Sequence, residues 1–183
     1  MRNVTASATA LLLLMTAAVH GQRGIKLDVP YVPTPQPVVE GMLKLANVKA
    51  GDVVYDLGCG DGRIVVTAVK QFKARRGVGI DLDPQRVKES VENAKQAGVS
   101  AKTEFREGDV LKLESVADAD VVTLYLYPTV NRKLEPMLRK TLKPGSRVVS
   151  HDFRIGDWQP DRTERVRDDR GTDHVLYLWT IKK

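Results

Sequence analysis

The chain has 183 residues, of which 42% are hydrophobic and 28% charged, and a formal net charge of +6. That length suits one domain whose core is large enough to fold without disulfides or structural metal. The single cysteine, Cys59, excludes an internal disulfide framework and a Cys-rich zinc site; His20, His151 and His174 are scattered without metal-ligand spacing, so no metal is expected.

The basic balance would suit an acidic partner. Lys and Arg are nevertheless interleaved with Asp and Glu, as in Arg162-Thr163-Glu164-Arg165, and no basic run carries interleaved aromatics. This pattern reads as a solvated mixed-charge surface and disfavours nucleic acid as a partner. Residues 1–21 differ in kind. Arg2 precedes an apolar stretch, Ala8 to Val19, and Val19-His20-Gly21 offers a small-residue cut site. Those three parts describe an export signal, so the expected location is periplasmic or secreted. The stretch is shorter than the roughly 20 residues of a membrane span, so no transmembrane span is expected in the mature chain. Alternatives are a cytoplasmic protein started at Met15 and an uncleaved signal acting as a membrane anchor.

Residues 22–36 form an extended segment in which Pro30, Pro33 and Pro35 forbid regular helix. The principal domain is expected over 37–183. Pro37 can open a helix with Val38, Met42, Leu45 and Ala46 on one face. Val53–Leu57 reads as a buried strand, and 62–73 as a helix burying Ile64, Val65, Ala68, Val69 and Phe72. A second strand spans 77–81. Asp83 can cap the next helix, with Pro84 first, Val87, Val91 and Ala94 inward, and Gly98 as its stop. Strands are expected at 102–106 and 121–126, the second apolar enough to be covered on both faces. A helical pattern over 130–142 is interrupted or restarted at Pro136; strands at 147–150, 162–166 and 175–181 complete the chain. Helix–strand alternation followed by a hairpin predicts an α/β, Rossmann-like αβα sandwich: a mostly parallel seven-stranded sheet with an antiparallel C-terminal strand.

The chemistry lies in Asp56-Leu57-Gly58-Cys59-Gly60-Asp61-Gly62-Arg63, where a strand hands over to a helix. Alternating Gly58, Gly60 and Gly62 allow a sharp turn and a close backbone approach to a ligand. The helix start beyond them favours an anionic group. Asp81 ends the next strand, where a carboxylate can accept bonds from ribose hydroxyls. A dinucleotide fingerprint wants its third glycine one residue later, where Arg63 stands. Asp56 would repel a pyrophosphate but suits an ammonium. The ligand therefore reads as a nucleoside joined to an amino acid. Cys59 reads as a small filler among the glycines, and Asp61 either caps the helix or touches the ligand.

This segment resembles motif I of the class I S-adenosylmethionine-dependent methyltransferases, and Asp81 the acidic residue that follows it. Gly108-Asp109-Val110 is similar to the motif whose Asp hydrogen-bonds the adenine amino group. Residues 119–128, ending Tyr125-Leu126-Tyr127-Pro128, resemble motif IV, beside the transferred methyl, and Leu142-Lys143-Pro144-Gly145 is usual before the fifth strand. The likeness runs from about Tyr31 to Ile181. Tyr31-Val32-Pro33-Thr34-Pro35, His151-Asp152-Phe153 and Trp158-Gln159-Pro160 further resemble the small protein lysine methyltransferases of archaea and mitochondria.

The resemblance implies S-adenosylmethionine as cofactor, held by Asp56, Gly58, Gly60, Asp61, Gly62, Asp81, Asp109 and Val110. It implies methyl transfer to an amine, with a protein lysine as the leading acceptor and a protein as partner. Tyr125 and Tyr127 are the candidate catalytic residues, as walls of a slot for the amine; core packing is the rival role of Tyr125. No Asn/Asp-Pro-Pro-aromatic motif is present to fix a planar nitrogen. The alternatives are a small-molecule acceptor and a non-catalytic exported module. A monomer is the expected state.

Overall fold

A computed structural model describes residues 31–182. The export signal lies outside the described residues, as does most of the proline-rich segment.

Seven strands, β1 (Val53–Leu57), β2 (Arg76–Asp81), β3 (Thr103–Glu107), β4 (Val121–Leu124), β5 (Arg147–His151), β6 (Arg162–Arg167) and β7 (Asp173–Thr180), form one sheet. Four helices, α1 (Gln36–Leu45), α2 (Arg63–Lys70), α3 (Pro84–Gln96) and α4 (Pro128–Thr141), pack around it. The strand order is β3-β2-β1-β4-β5-β7-β6. All pairs from β3 to β5 are parallel, while β7 runs antiparallel to β5 and β6. This is the expected Rossmann-like architecture. The order reverses between β1 and β4, and the cleft beyond the carboxyl ends of strands at such a point is where open α/β sheets bind ligands.

Strict alternation divides the core. Val53, Tyr55 and Leu57 of β1 join Val122, Leu124, Val148 and Trp179 beneath Leu134 and Leu138 of α4. Val54 turns to the opposite face with Val121, Val149, Leu176 and Leu178, under Met42 and Leu43 of α1 and Ile64 and Ala68 of α2. Because the period is 2, Asp56 and Thr123 share that second face, a placement on which the site depends.

Several boundaries differ from expectation. Helix α2 stops at Lys70: Lys73 adopts a positive φ of 61°, and the Ala74 N–H closes back on the Ala68 carbonyl at 3.0 Å. The chain thus leaves the helix through a left-handed residue that is not glycine. Strand β4 ends at Leu124, so Tyr125 and Tyr127 lie on the loop into α4, whose first residue is Pro128. Pro136 does not divide α4. It is exposed, where water can satisfy the carbonyl left without a donor. Val91 is half exposed, not inward; α3 instead buries Ser90 and Ala94.

Candidate active site

The register of β1 and β4 builds the centre of the cleft. Asp56 and Thr123 are paired positions of parallel neighbours, pointing to one face. Thr123 Oγ1 donates to Asp56 Oδ1 at 2.7 Å. Asp56 is otherwise enclosed, and burial pushes its carboxyl up to about 7 despite the Thr123 bond, with the Asp81 and Asp61 charges adding to the rise.

The glycine loop is fixed on its other side by β2. Ile80 O accepts from both Gly58 N–H (2.8 Å) and Cys59 N–H (3.1 Å). Asp81 accepts from Gly60 N–H through Oδ2 (2.8 Å) and from Asp83 N–H through Oδ1 (2.9 Å). The carboxylate is thereby oriented at the strand end, and among the described residues it forms no ion pair. Gly60 has φ +53°, and a Cβ there would meet Tyr31 Cε2 at 2.6 Å. Glycine is thus required for conformation and for clearance.

The segment Tyr31–Thr34 crosses this loop. Tyr31 lies beneath the Arg86 guanidinium, 4.5 Å from the ring centroid, and Arg63 Nη1 donates to Thr34 O at 3.0 Å. Arg63 also grips Asp61, with Nη2 2.6 Å from Oδ2. Burial alone would raise Asp61, but the Arg63 bonds and charge outweigh it and hold the carboxyl below its usual range. Asp61 also accepts from Arg63 N–H at 3.2 Å, so it serves the first turn of α2.

One cleft collects Asp56, Gly58, Gly60, Asp61, Asp81, Asp109, Val110, Tyr125 and Tyr127. Asp109 caps a one-turn 3-10 helix by accepting from Leu111 N–H at 2.9 Å, and its residue still lines the cleft. Gly62 is not among the residues that line this cleft. With φ +77° it starts α2, and a Cβ there would press Ser90 Cβ at 2.6 Å and Phe105 Cε1 at 2.7 Å. Its glycine serves helix–sheet packing. Cys59 is buried against Gly79, and burial pushes its thiol up, as a filler requires.

Sequence reasoning missed Leu82, Asp83, Arg86 and Phe153 as lining residues. Arg86 lies one turn into α3 from Asp83, a signal available only once α3 is known to start beside the loop. Tyr125 stacks on His151 with centroids 3.8 Å apart, and Tyr127 meets Phe153 edge-on at 6.1 Å. The β4 end of the cleft is therefore walled by aromatic rings.

A nucleoside-binding crevice at the switch point of this sheet, with acids at the ends of β1 and β2, defines a class I methyltransferase. Residues 56–162 match the family described as the ANTKMT methyltransferase domain. The chain is 44% identical over 153 residues to a protein-lysine N-methyltransferase of Saccharolobus islandicus (strain REY15A), covering 84% of this chain and 94% of that one. It is 39% identical over 147 residues to the adenine nucleotide translocase lysine N-methyltransferase of Mus musculus, covering 78% of this chain and 63% of the mouse protein. A crystal structure described as an RNA methyltransferase from Salinibacter ruber, in complex with S-adenosyl-L-homocysteine, superposes with TM-score 0.76 at 53% identity, covering 83% of this chain and 95% of that one. The chain belongs to the ANTKMT methyltransferase domain family and uses S-adenosylmethionine.

The residues present fit that cofactor. Asp56 is a buried carboxylate with one protein donor among the described residues, the loop at Gly60 has no room for a side chain, and Asp81 is held by two backbone N–H groups. An amino acid joined to a nucleoside presents the ammonium and hydroxyls that such groups take.

Proposed function

We propose that this chain methylates the side-chain amine of a lysine in a protein. The observation that carries the reading is the aromatic wall of Tyr125, Tyr127 and Phe153 beside the carboxylate-lined cleft. Asp56 would take the ammonium of the methionine part, Asp81 the ribose hydroxyls, and Asp109 with Val110 the adenine edge. Bound there, S-adenosylmethionine supplies an electrophilic methyl on a positively charged sulfur.

The rest of the work is positioning. A lysine ammonium with a pKa near 10.4 must lose its proton first, costing about 4 kcal/mol at pH 7.5. Aromatic rings guide the arriving cation, while loss of water in the slot and the positive charge of a bound sulfonium would push its pKa down. No strong base is needed, and Tyr125 and Tyr127 act as walls that align the amine.

The Salinibacter relative makes RNA the second reading. The placement of charge favours protein. Arg63, Arg76, Arg86, Arg147, Arg162 and Arg167 are each paired with a carboxylate, so these cations are compensated and do not form a bare phosphate-binding strip. The test incubates the protein with methyl-labelled S-adenosylmethionine and a lysate, then treats the labelled fraction with protease or ribonuclease. Label that disappears with protease and resists ribonuclease is expected, as methyl-lysine on hydrolysis, and Asp81→Ala should lose it. Label released by ribonuclease alone would overturn the lysine reading.

A further inference from the structure

The two histidines that sequence spacing keeps apart meet at the far side of the aromatic wall. His151 ends β5 and His174 lies near the start of β7, the antiparallel neighbour, on the same face of the sheet. His151 Nε2 is 2.9 Å from His174 Nδ1. Asp152 Oδ2 is 3.2 Å from that same His174 nitrogen and 3.3 Å from His151 Nε2. Three ligand-type atoms thus form a nearly equilateral triangle.

Zinc takes imidazole nitrogen and carboxylate oxygen at about 2.0–2.2 Å, which in a tetrahedral shell sets neighbouring ligand atoms about 3.3–3.5 Å apart. The observed separations fall at or a little inside that spacing. We propose that His151, Asp152 and His174 form a binding site for one zinc ion, with its fourth position open to water.

Features around the triangle support ligation over a plain hydrogen-bond cluster. Each ligand is held from behind. Thr34 Oγ1 lies 3.3 Å from His151 Nδ1, and Asp168 Oδ2 lies 3.5 Å from His174 Nε2. Asp152 Oδ1 accepts from Val175 N–H at 2.8 Å, leaving Oδ2 to face the histidines. Metal-binding histidines ordinarily show such an outer shell of carboxylate and hydroxyl, which fixes tautomer and ring orientation. Asp152 keeps an unfavourable φ of 57° while it aims that oxygen.

Without an ion, His151 Nε2, His174 Nδ1 and Asp152 Oδ2 face one another with a single proton to share among the three atoms. An ion makes both facing nitrogens lone-pair donors. It sends the His174 proton to Nε2, toward Asp168, and the His151 proton to Nδ1, toward Thr34.

The site touches the cleft through two elements, Tyr125 stacked on His151 and Thr34 at the end of the crossing segment. Bound zinc would therefore stiffen one wall of the cleft. This inference stands whether the methyl acceptor is lysine or RNA.

The test uses the full chain without a histidine tag, stripped by a chelator and dialysed against ZnCl2. One equivalent of zinc should be retained, the melting temperature should rise, and cobalt substitution should give the visible absorption of a four-coordinate Co2+ site. His174→Gln and Asp152→Asn should abolish retention. Asp168→Asn, which can keep the turn bonds of the native carboxylate, should weaken zinc binding by about 10–100-fold. Retention below a tenth of an equivalent by the wild-type chain would overturn the site. So would a cobalt spectrum showing only six-coordinate aqua ion, a result that does not depend on any variant folding.

Discussion

Asp56 carries its carboxyl where water has been withdrawn and one hydroxyl is the only protein donor among the described residues. With its pKa raised to about 7, the ligand-free folded chain keeps a proton that the unfolded chain, near 3.9, gives up earlier. The associated stability is present in full below about pH 4 and is lost as pH rises through about 7. An ammonium partner reverses the preference, because it favours the carboxylate. Cofactor binding at pH 6 should therefore release close to one proton from Asp56, and affinity should rise with pH and level off above about 7. Calorimetry in buffers of different ionisation heat checks this; Asp56→Asn should remove the proton release and weaken binding. A wild-type affinity independent of pH between 6 and 8 would contradict the placement of Asp56 at the ammonium.

At the scale of elements, burial sorts the helices. Leu138 of α4 is fully enclosed, whereas Val91 of α3 is half in water. Leu138→Ala should cost about 2–5 kcal/mol, and Val91→Ala should stay within about 0.5 kcal/mol, both read from urea unfolding. Val91 also shows where sequence reading loses its grip. Apolar spacing named it inward, but the small inner residues Ser90 and Ala94 bring α3 close to the sheet and rotate Val91 out. Strand β1 was legible to the residue, because its β-branched run stops at a glycine the loop requires. Strand β4 was overextended, since Tyr125 and Leu126 continue the apolar run while Pro128 has already fixed the start of α4. Asp56, Asp61, Asp81 and Asp109 were legible because each ends a strand or starts a turn, whereas Asp83 reads from the sequence only as a helix cap. Arg86 and Phe153 were not, since their arrival depends on how separate elements dock. Nor was the pairing of His151 with His174, which exists only through the antiparallel register of β5 and β7.

For the whole molecule, we propose that residues 1–21 are an export signal cleaved after Gly21. Mass spectrometry of protein from the native host should then find an N-terminal peptide beginning at Gln22, free or as pyroglutamate; one beginning at Met1 or Met15 would refute cleavage there. Among the described residues no helix is long and apolar enough to cross a membrane. Among the described residues the sheet ends on one side at β6, which pairs with β7. Arg162, Arg165 and Arg167 stand exposed along that border. Charged side chains on an edge strand discourage a second copy from adding there, and Arg162, Arg165 and Arg167 together with Glu164 occupy this border, leaving the outward N–H and C=O groups of the strand to water.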